Sequence, residues 1–262
     1  MHHHYFDRLA YASSPVHRLD PRVKLSLALL AILVGTGVGD DGLWRLLPLA
    51  GGTLLCALWA RLPLVGLLRR SLLVVPFVLA VAVLLPFQGE GAVAWSLQVG
   101  GFELALRETG LHRLGTVAAR SYLAIWVVLV LVSTTRFHLL LAALRSLGMP
   151  RLLVMVLGFL YRYLFVVTGE ALRMRRAREA RAVGRSRLRL RLGAAGSTIG
   201  LLFVRAYERA ERVYQAMLAR GFDGELPLPQ PLHLHGRDWM ALGLGLAGLL
   251  VVLLLPLSRW PS

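Results

Sequence analysis

Five stretches of the chain, Val23 to Gly39, Leu43 to Ala60, Ser71 to Phe87, Gly115 to Thr135 and Trp239 to Leu257, run about 17 to 21 residues with at most one charge each. A helix needs about 20 apolar residues to cross roughly 30 Å of hydrocarbon, and lipid offers no partner to an unpaired backbone amide, so runs of this length are read as membrane helices. Composition agrees: of 262 residues, 56% are hydrophobic and 17% charged, with a mean hydropathy of +0.62, too apolar for an ordinary soluble domain. The expected fold is an all-α integral membrane protein with about five transmembrane helices and, as argued below, long cytoplasmic helices. The first run is long for the apolar core of a secretion signal and four more follow it, so it is read as an uncleaved span. Asp20 and Pro21 mark its start, an acid placed to cap free amides and a proline suited to the first helical position.

Arginine placement sets the expected orientation. The net charge is +16, and of 30 basic residues only Lys24 is a lysine. Arg18, Arg22 and Lys24 precede or open the first span, Arg61, Arg69 and Arg70 lie between the second and third, and the loop after the first span carries Asp40 and Asp41 instead. Short basic loops stay on the cytoplasmic side, which puts the N-terminus in the cytoplasm and Gln88 to Arg113 outside. Within that outer loop, Gly91 to Arg107 is open between an interfacial helix and a hairpin.

Leu152 to Thr168 is apolar enough to suggest a sixth span, although Arg162 in its middle costs roughly 2.5 to 3.5 kcal/mol to insert. A dozen apolar neighbours at about 0.3 to 0.6 kcal/mol each offset that cost, so hydropathy does not decide. Charge does: a span here would expel the basic run from Arg173 to Leu192 to the outside. The stretch is therefore expected on the cytoplasmic side, as a long helix at the interface or packed on the bundle. Residues 1–135 then form an N-terminal bundle of four spans, 136–237 a cytoplasmic region and 238–262 a C-terminal span. The middle region carries 18 arginines against six acids. Such a surplus suits anionic lipid, carboxylates or phosphates, because guanidinium stays charged and donates in a planar fork.

Near the end of this region, Phe203, Ala206, Ala210, Val213 and Met217 recur at steps of three and four and make one apolar stripe, expected to pack the long helices together. Glu208 and Arg212 stand four apart, in the favourable order for a side-chain pair. Gly221 is placed to cap the helix in a left-handed conformation, and Pro227, Pro229 and Pro231 prevent its continuation. Arg220 thus falls in the last turn, where helix-dipole compensation of about 0.3 to 1 kcal/mol would by itself account for it. Two features ask for more. Ala219 and Gly221 strip its flanks of bulk, and Ala180, Arg181 and Ala182 repeat the pattern 39 residues earlier.

The segments YFDRLAYASSPVHRLDPRVKL, RMRRAREARA and VRAYERAERVYQAMLARGFDGELP resemble the transmembrane T component of energy-coupling-factor transporters, of the cobalt type called CbiQ. The resemblance covers nearly the whole chain. It implies two coupling helices, each ending in an alanine-arginine-glycine signature that docks on one of two ATP-binding cassette ATPase subunits. Ala219, Arg220 and Gly221 match that signature fully; Ala180, Arg181 and Ala182 match with alanine in place of glycine. It further implies a membrane-embedded, CbiM-like S component that holds the cargo, a small CbiN-like subunit as an accessory, and a place in the cell membrane of a bacterium or archaeon. Cobalt is the implied cargo; a nickel or vitamin transporter of the same architecture is the near alternative. An arginine-rich scaffold on anionic lipid is the alternative of a different class.

No phosphate-binding loop of the G-x-x-x-x-G-K-[ST] kind occurs, so ATP and Mg2+ are expected in partner subunits and no cofactor in this chain. No catalytic constellation, metal-ligand spacing or nucleic-acid-binding motif stands out. His2 to His4 are open between an affinity-tag remnant and native sequence, and His233 and His235 are read as loop residues. Cys56, the one cysteine, excludes an intrachain disulfide and is read as a small packing residue.

Overall fold

The computed structural model describes residues 9–37, 43–82, 93–99, 102–181, 188–224 and 234–254. His2 to His4, Asp40, Asp41, Ala182, His233 and the prolines at 227, 229 and 231 lie outside the described residues. Among the described residues the fold is helical apart from one hairpin. In chain order come α1 (Pro21–Gly37), a 3-10 turn (Leu43–Arg45), α2 (Leu46–Trp59), α3 (Leu64–Leu72), α4 (Val75–Ala82), β1 (Val93–Val99), β2 (Phe102–Arg107), α5 (Glu108–Thr134), α6 (Phe137–Ser146), α7 (Arg151–Arg181), α8 (Leu188–Leu218) and α9 (Gly236–Leu254). Strands β1 and β2 pair antiparallel, with Val99 opposite Phe102, which resolves the outer loop in favour of the hairpin.

Contacts divide the chain into two compact units, one from Leu144–Pro231 and the other from Phe6–Ala143 with Leu232–Ser262. In the second unit α5 is the central element and packs against α1, α2, α3 and α4, while α9 packs on α1 and α2. Two apolar clusters fill it. Val16, Ala57, Ala60, Leu62, Leu67 and Val130 form one; Leu46, Leu49, Leu123, Leu249 and Val252 form the other. Gly245 is where α9 meets α1 most closely: a Cβ built there would stand 2.5 Å from Cδ2 of Leu27. Small residues serve this purpose in membrane bundles, where close backbone approach replaces the hydrophobic drive.

The caps around α1 and α9 are reciprocal. Asp20 Oδ1 accepts the Arg22 amide at 2.8 Å, the N-cap expected of it. The buried Asp238 (3% exposed) reaches back to accept the His235 amide through Oδ2, and the Asp20 amide through Oδ1, both at 2.8 Å. One carboxylate therefore satisfies orphan donors at the starts of two helices. Beside it, Lys24 Nζ donates to the carbonyls of Thr134 at 3.0 Å and His17 at 3.3 Å, so the end of α5 joins the same node.

Three helices among the described residues are long and apolar enough to cross a membrane: His112–Thr134, Arg151–Arg181 and Gly236–Leu254. The first and third fall on the expected fourth and fifth spans; the second covers Leu152 to Thr168, the stretch that charge placement assigns to the cytoplasmic side although its length and composition suit a crossing. Of the other three expected spans, α1 follows the first as far as Gly37, about 26 Å of rise, and α2 covers 14 residues of the second, about 21 Å. The third breaks at Leu73 and Val74, where the Val74 amide bonds the Ser71 carbonyl. Pro76 explains the break, since its ring excludes the carbonyl four residues back and it donates no hydrogen bond. Cys56 also departs from expectation: it is exposed on α2, and Ala57 beside it is the packed residue.

Candidate functional site

Helices α7 and α8 have 31 residues each, about 46 Å of rise, and form the core of the first unit. They run antiparallel. Glu170 of α7 meets Arg205 and Arg209 of α8, and eight residues further along α7 the Arg178 guanidinium donates to Thr198, earlier in α8, at 3.4 Å. The Glu170 contact is a fork held from one side: Arg205 Nη1 donates to Oε1 at 3.1 Å and Arg209 Nη2 to Oε2 at 2.9 Å. Its side chain is 13% exposed, whereas those of Arg205 and Arg209 are 50% and 39% exposed. Half-exposed ion pairs contribute about 1 kcal/mol or less each. Their larger effect is geometric, because two arginines one turn apart on one carboxylate fix how far α8 slides and rolls against α7.

The end of α8 is built as the sequence anticipates. Gly221 has φ +79°, the Phe222 amide donates to the Met217 carbonyl and the Gly221 amide to the Leu218 carbonyl, both at 3.0 Å. These two bonds make a Schellman motif with the left-handed residue at its expected place, and leave Arg220 as the last residue before the reversal. Ala219, Arg220 and Gly221 are all exposed. At the end of α7, Ala180 and Arg181 are likewise exposed within the last turn, and Ala182, third of that triplet, lies outside the described residues.

Three of the five expected stripe residues lie on the packed face of α8 and two do not. Ala206, Val213 and Met217 are half-buried, but they share their face with Leu202 and Arg209, while Phe203 (72% exposed) and Ala210 lie off it. Arg209 stands on the packed face in contact with Glu170. On α7, Leu152, Leu153, Val156, Leu160 and Leu164 are exposed too, as are Ile199 and Tyr207 of α8. Glu170 itself escaped the sequence reading. A signal was there: it is the one acid between Arg136 and Arg178, and Arg205 and Arg209 stand one turn apart. The surface pairs Arg175–Glu179 and Arg212–Glu208 are local i, i+4 contacts, the second as expected. Among the described residues no three His, Cys, Asp or Glu side chains come together in a way that could hold a metal ion.

Comparison with known proteins bears on this arrangement. The family described as "CbiQ: Cobalt transport protein" matches residues 12–230. The chain is 28% identical over 231 residues to a putative fused cobalt transport protein, CbiMQ, of Methanocorpusculum labreanum, covering 87% of this chain and 38% of that one. It is 31% identical over 148 residues to the cobalt transport protein CbiQ of Rhodobacter capsulatus, covering 56% and 60%. Over 109 residues it is 37% identical to the nickel permease LarQ of Lactiplantibacillus plantarum, covering 42% and 39%. The chain thus spans less than two thirds of each of these three relatives. The matched region takes in α1 through α8 and the arginine-bearing ends of both long helices, and on it the chain belongs to the CbiQ family of cobalt transport proteins.

Proposed function

We propose that this chain is the transmembrane coupling subunit of an energy-coupling-factor importer. It passes nucleotide-driven motion from two ATPase subunits to a membrane-embedded S component that holds a divalent metal ion, with cobalt the cargo. The single observation that carries this reading is the end of α8: an arginine held at a Schellman cap between two small residues, exposed and free of flanking bulk. A guanidinium presented this way forms charge-assisted bonds to a partner's carboxylate or carbonyls in a fixed direction. Ala180, Arg181 and Ala182 serve as the second tip.

The remaining parts follow from the same reading. The N-terminus and residues 136–237 lie on the cytoplasmic side, the apolar part of α7 at the membrane interface and the arginine tips reaching the ATPases. The exposed apolar residues of α7 and α8 face the S component and lipid, and the fused relative, which joins a CbiM part to a CbiQ part in one chain by its name, supports a CbiM-like partner. The chain itself is non-catalytic; ATP and Mg2+ belong to the ATPase subunits. The nickel permease among the relatives supports nickel as the second candidate cargo.

The test is affinity purification of the chain with its ATPase and S partners. Arg220→Glu is expected to remove the ATPase subunits from the complex, a loss of at least about 2 kcal/mol, as for truncating one partner of a buried charge-assisted pair. Arg189→Glu, an equally exposed arginine at the other end of α8, is expected to leave them bound. Equal, graded losses from both substitutions would instead mark an arginine scaffold on anionic lipid, where each basic residue contributes about 1 kcal/mol.

A further inference from the structure

Arg181 and Arg220 stand at the same distance from one contact. Arg181 is 11 residues beyond Glu170, and Arg220 is 11 residues beyond Arg209. Glu170 and Arg209 are bonded to each other at 2.9 Å. Because α7 and α8 are antiparallel, the two tips lie in opposite directions from that contact, each about 16 Å away along its own helix.

The sequence keeps the same relation around it. Shifting by 39 residues superposes Ala171 on Ala210, Arg173 on Arg212, Ala177 on Ala216, Ala180 on Ala219 and Arg181 on Arg220. Met174 and Val213, another pair at this offset, are both half-buried. An antiparallel helix pair with equal arms has a local two-fold relation about its midpoint, and here the midpoint lies at the Arg209 limb of the Glu170 fork. Two copies of one partner, themselves related by a two-fold, present two identical grooves, and a single chain meets both only if its tips are equivalent and correctly spaced.

We propose that Glu170 is a positioning residue: by clamping Arg205 and Arg209 it holds the Arg181 and Arg220 tips at equal reach and fixed spacing, so that both copies of a two-fold ATPase pair are engaged together. This rests on the coupling role proposed above and adds the device that makes the two tips act as one. A carboxylate suits the place because its two oxygens accept from two arginines at once. Glutamine keeps the shape but loses the charge, and arginine reverses it.

The experiment uses the full complex in lipid vesicles, with Cys56→Ser and spin labels at Glu179→Cys and Leu218→Cys, themselves 39 residues apart and roughly 27 Å apart by helical rise from the fork. The unmutated clamp is expected to give one narrow distance distribution. Glu170→Arg is expected to broaden it and to lower ATP-driven Co2+ uptake per ATP hydrolysed by about tenfold, within the range of a coupling free energy between two sites. The exchange Glu170→Arg with Arg209→Glu is expected to restore both, an outcome that loss of general stability would not give. An unchanged distance distribution in Glu170→Arg, or an exchange variant that restores neither readout, overturns the proposal. The distance readout on the chain without ATPase tests the clamp by itself, and ATPase capture by the Cys56→Ser chain tests the coupling role, so the two fail separately.

Discussion

Arg61 carries a conformation that its side chain does not favour. It ends α2 at φ 53°, and the Leu62 amide donates to the Ala57 carbonyl, which is the same cap as at the end of α8 but with arginine where glycine would sit. The left-handed region costs a residue with a Cβ roughly 1 to 2 kcal/mol. What holds it there is packing: Leu62 and Ala57, the two ends of that bond, are both buried in the first apolar cluster. Arg61→Gly is expected to raise the unfolding midpoint in detergent, with up to about 1 kcal/mol gained after the flexibility of glycine in the unfolded chain is counted; a fall would mean that the guanidinium supplies a contact worth more than the strain. At this scale the sequence spoke clearly where backbone chemistry alone decides. Asp20 caps and Gly221 reverses the chain because few other residues do either well. Asp238 was silent, and Glu170 gave only the signal of a lone acid in a basic stretch, since their partners arrive by folding from 35 to 39 residues away, or from 218.

Among the elements, apolar length predicted where helices run better than where they stop. The spans at α5 and α9 were legible from composition, while the described part of the third is broken between α3 and α4, where Pro76 interrupts the helix. The face of α8 was legible at Ala206, Val213 and Met217 but not at its other two positions, because a stripe counts apolar side chains and the true face includes Arg209. Packing between α1 and α9 has a sharper determinant. Gly245→Val would place two methyl groups where Leu27 already stands, and overpacking of this kind costs about 1 to 3 kcal/mol. The expected outcome is a lower unfolding midpoint that Leu27→Ala in the same chain partly restores, read by thermal unfolding of the purified protein. No rescue would mean that α9 yields by moving as a body.

For the whole molecule, the family and the helical membrane class were readable from the chain, whereas its sidedness rests on where arginines fall. That rule has a direct check. With Cys56→Ser and Gln215→Cys, an exposed position on α8, a membrane-impermeant maleimide is expected to label inside-out vesicles and to spare right-side-out ones. Labelling of right-side-out vesicles would reverse the orientation and remove the ATPases as partners. Within the bundle unit, the node of Lys24, Asp20 and Asp238 fastens the end of α5 to the starts of α1 and α9.

Lys24 is also the one side-chain amine in the protein, and its nitrogen is already committed to two carbonyls. Reagents that join amines are therefore nearly blind to the folded chain, and lysine-specific proteolysis meets its one site in the middle of a knot. Arginine-directed chemistry and cleavage meet 29 sites, many of them on the long helices. A subunit so lopsided in its basic residues can be read selectively inside a crowded assembly: beyond a terminal amine, whatever amines are captured belong almost wholly to its neighbours.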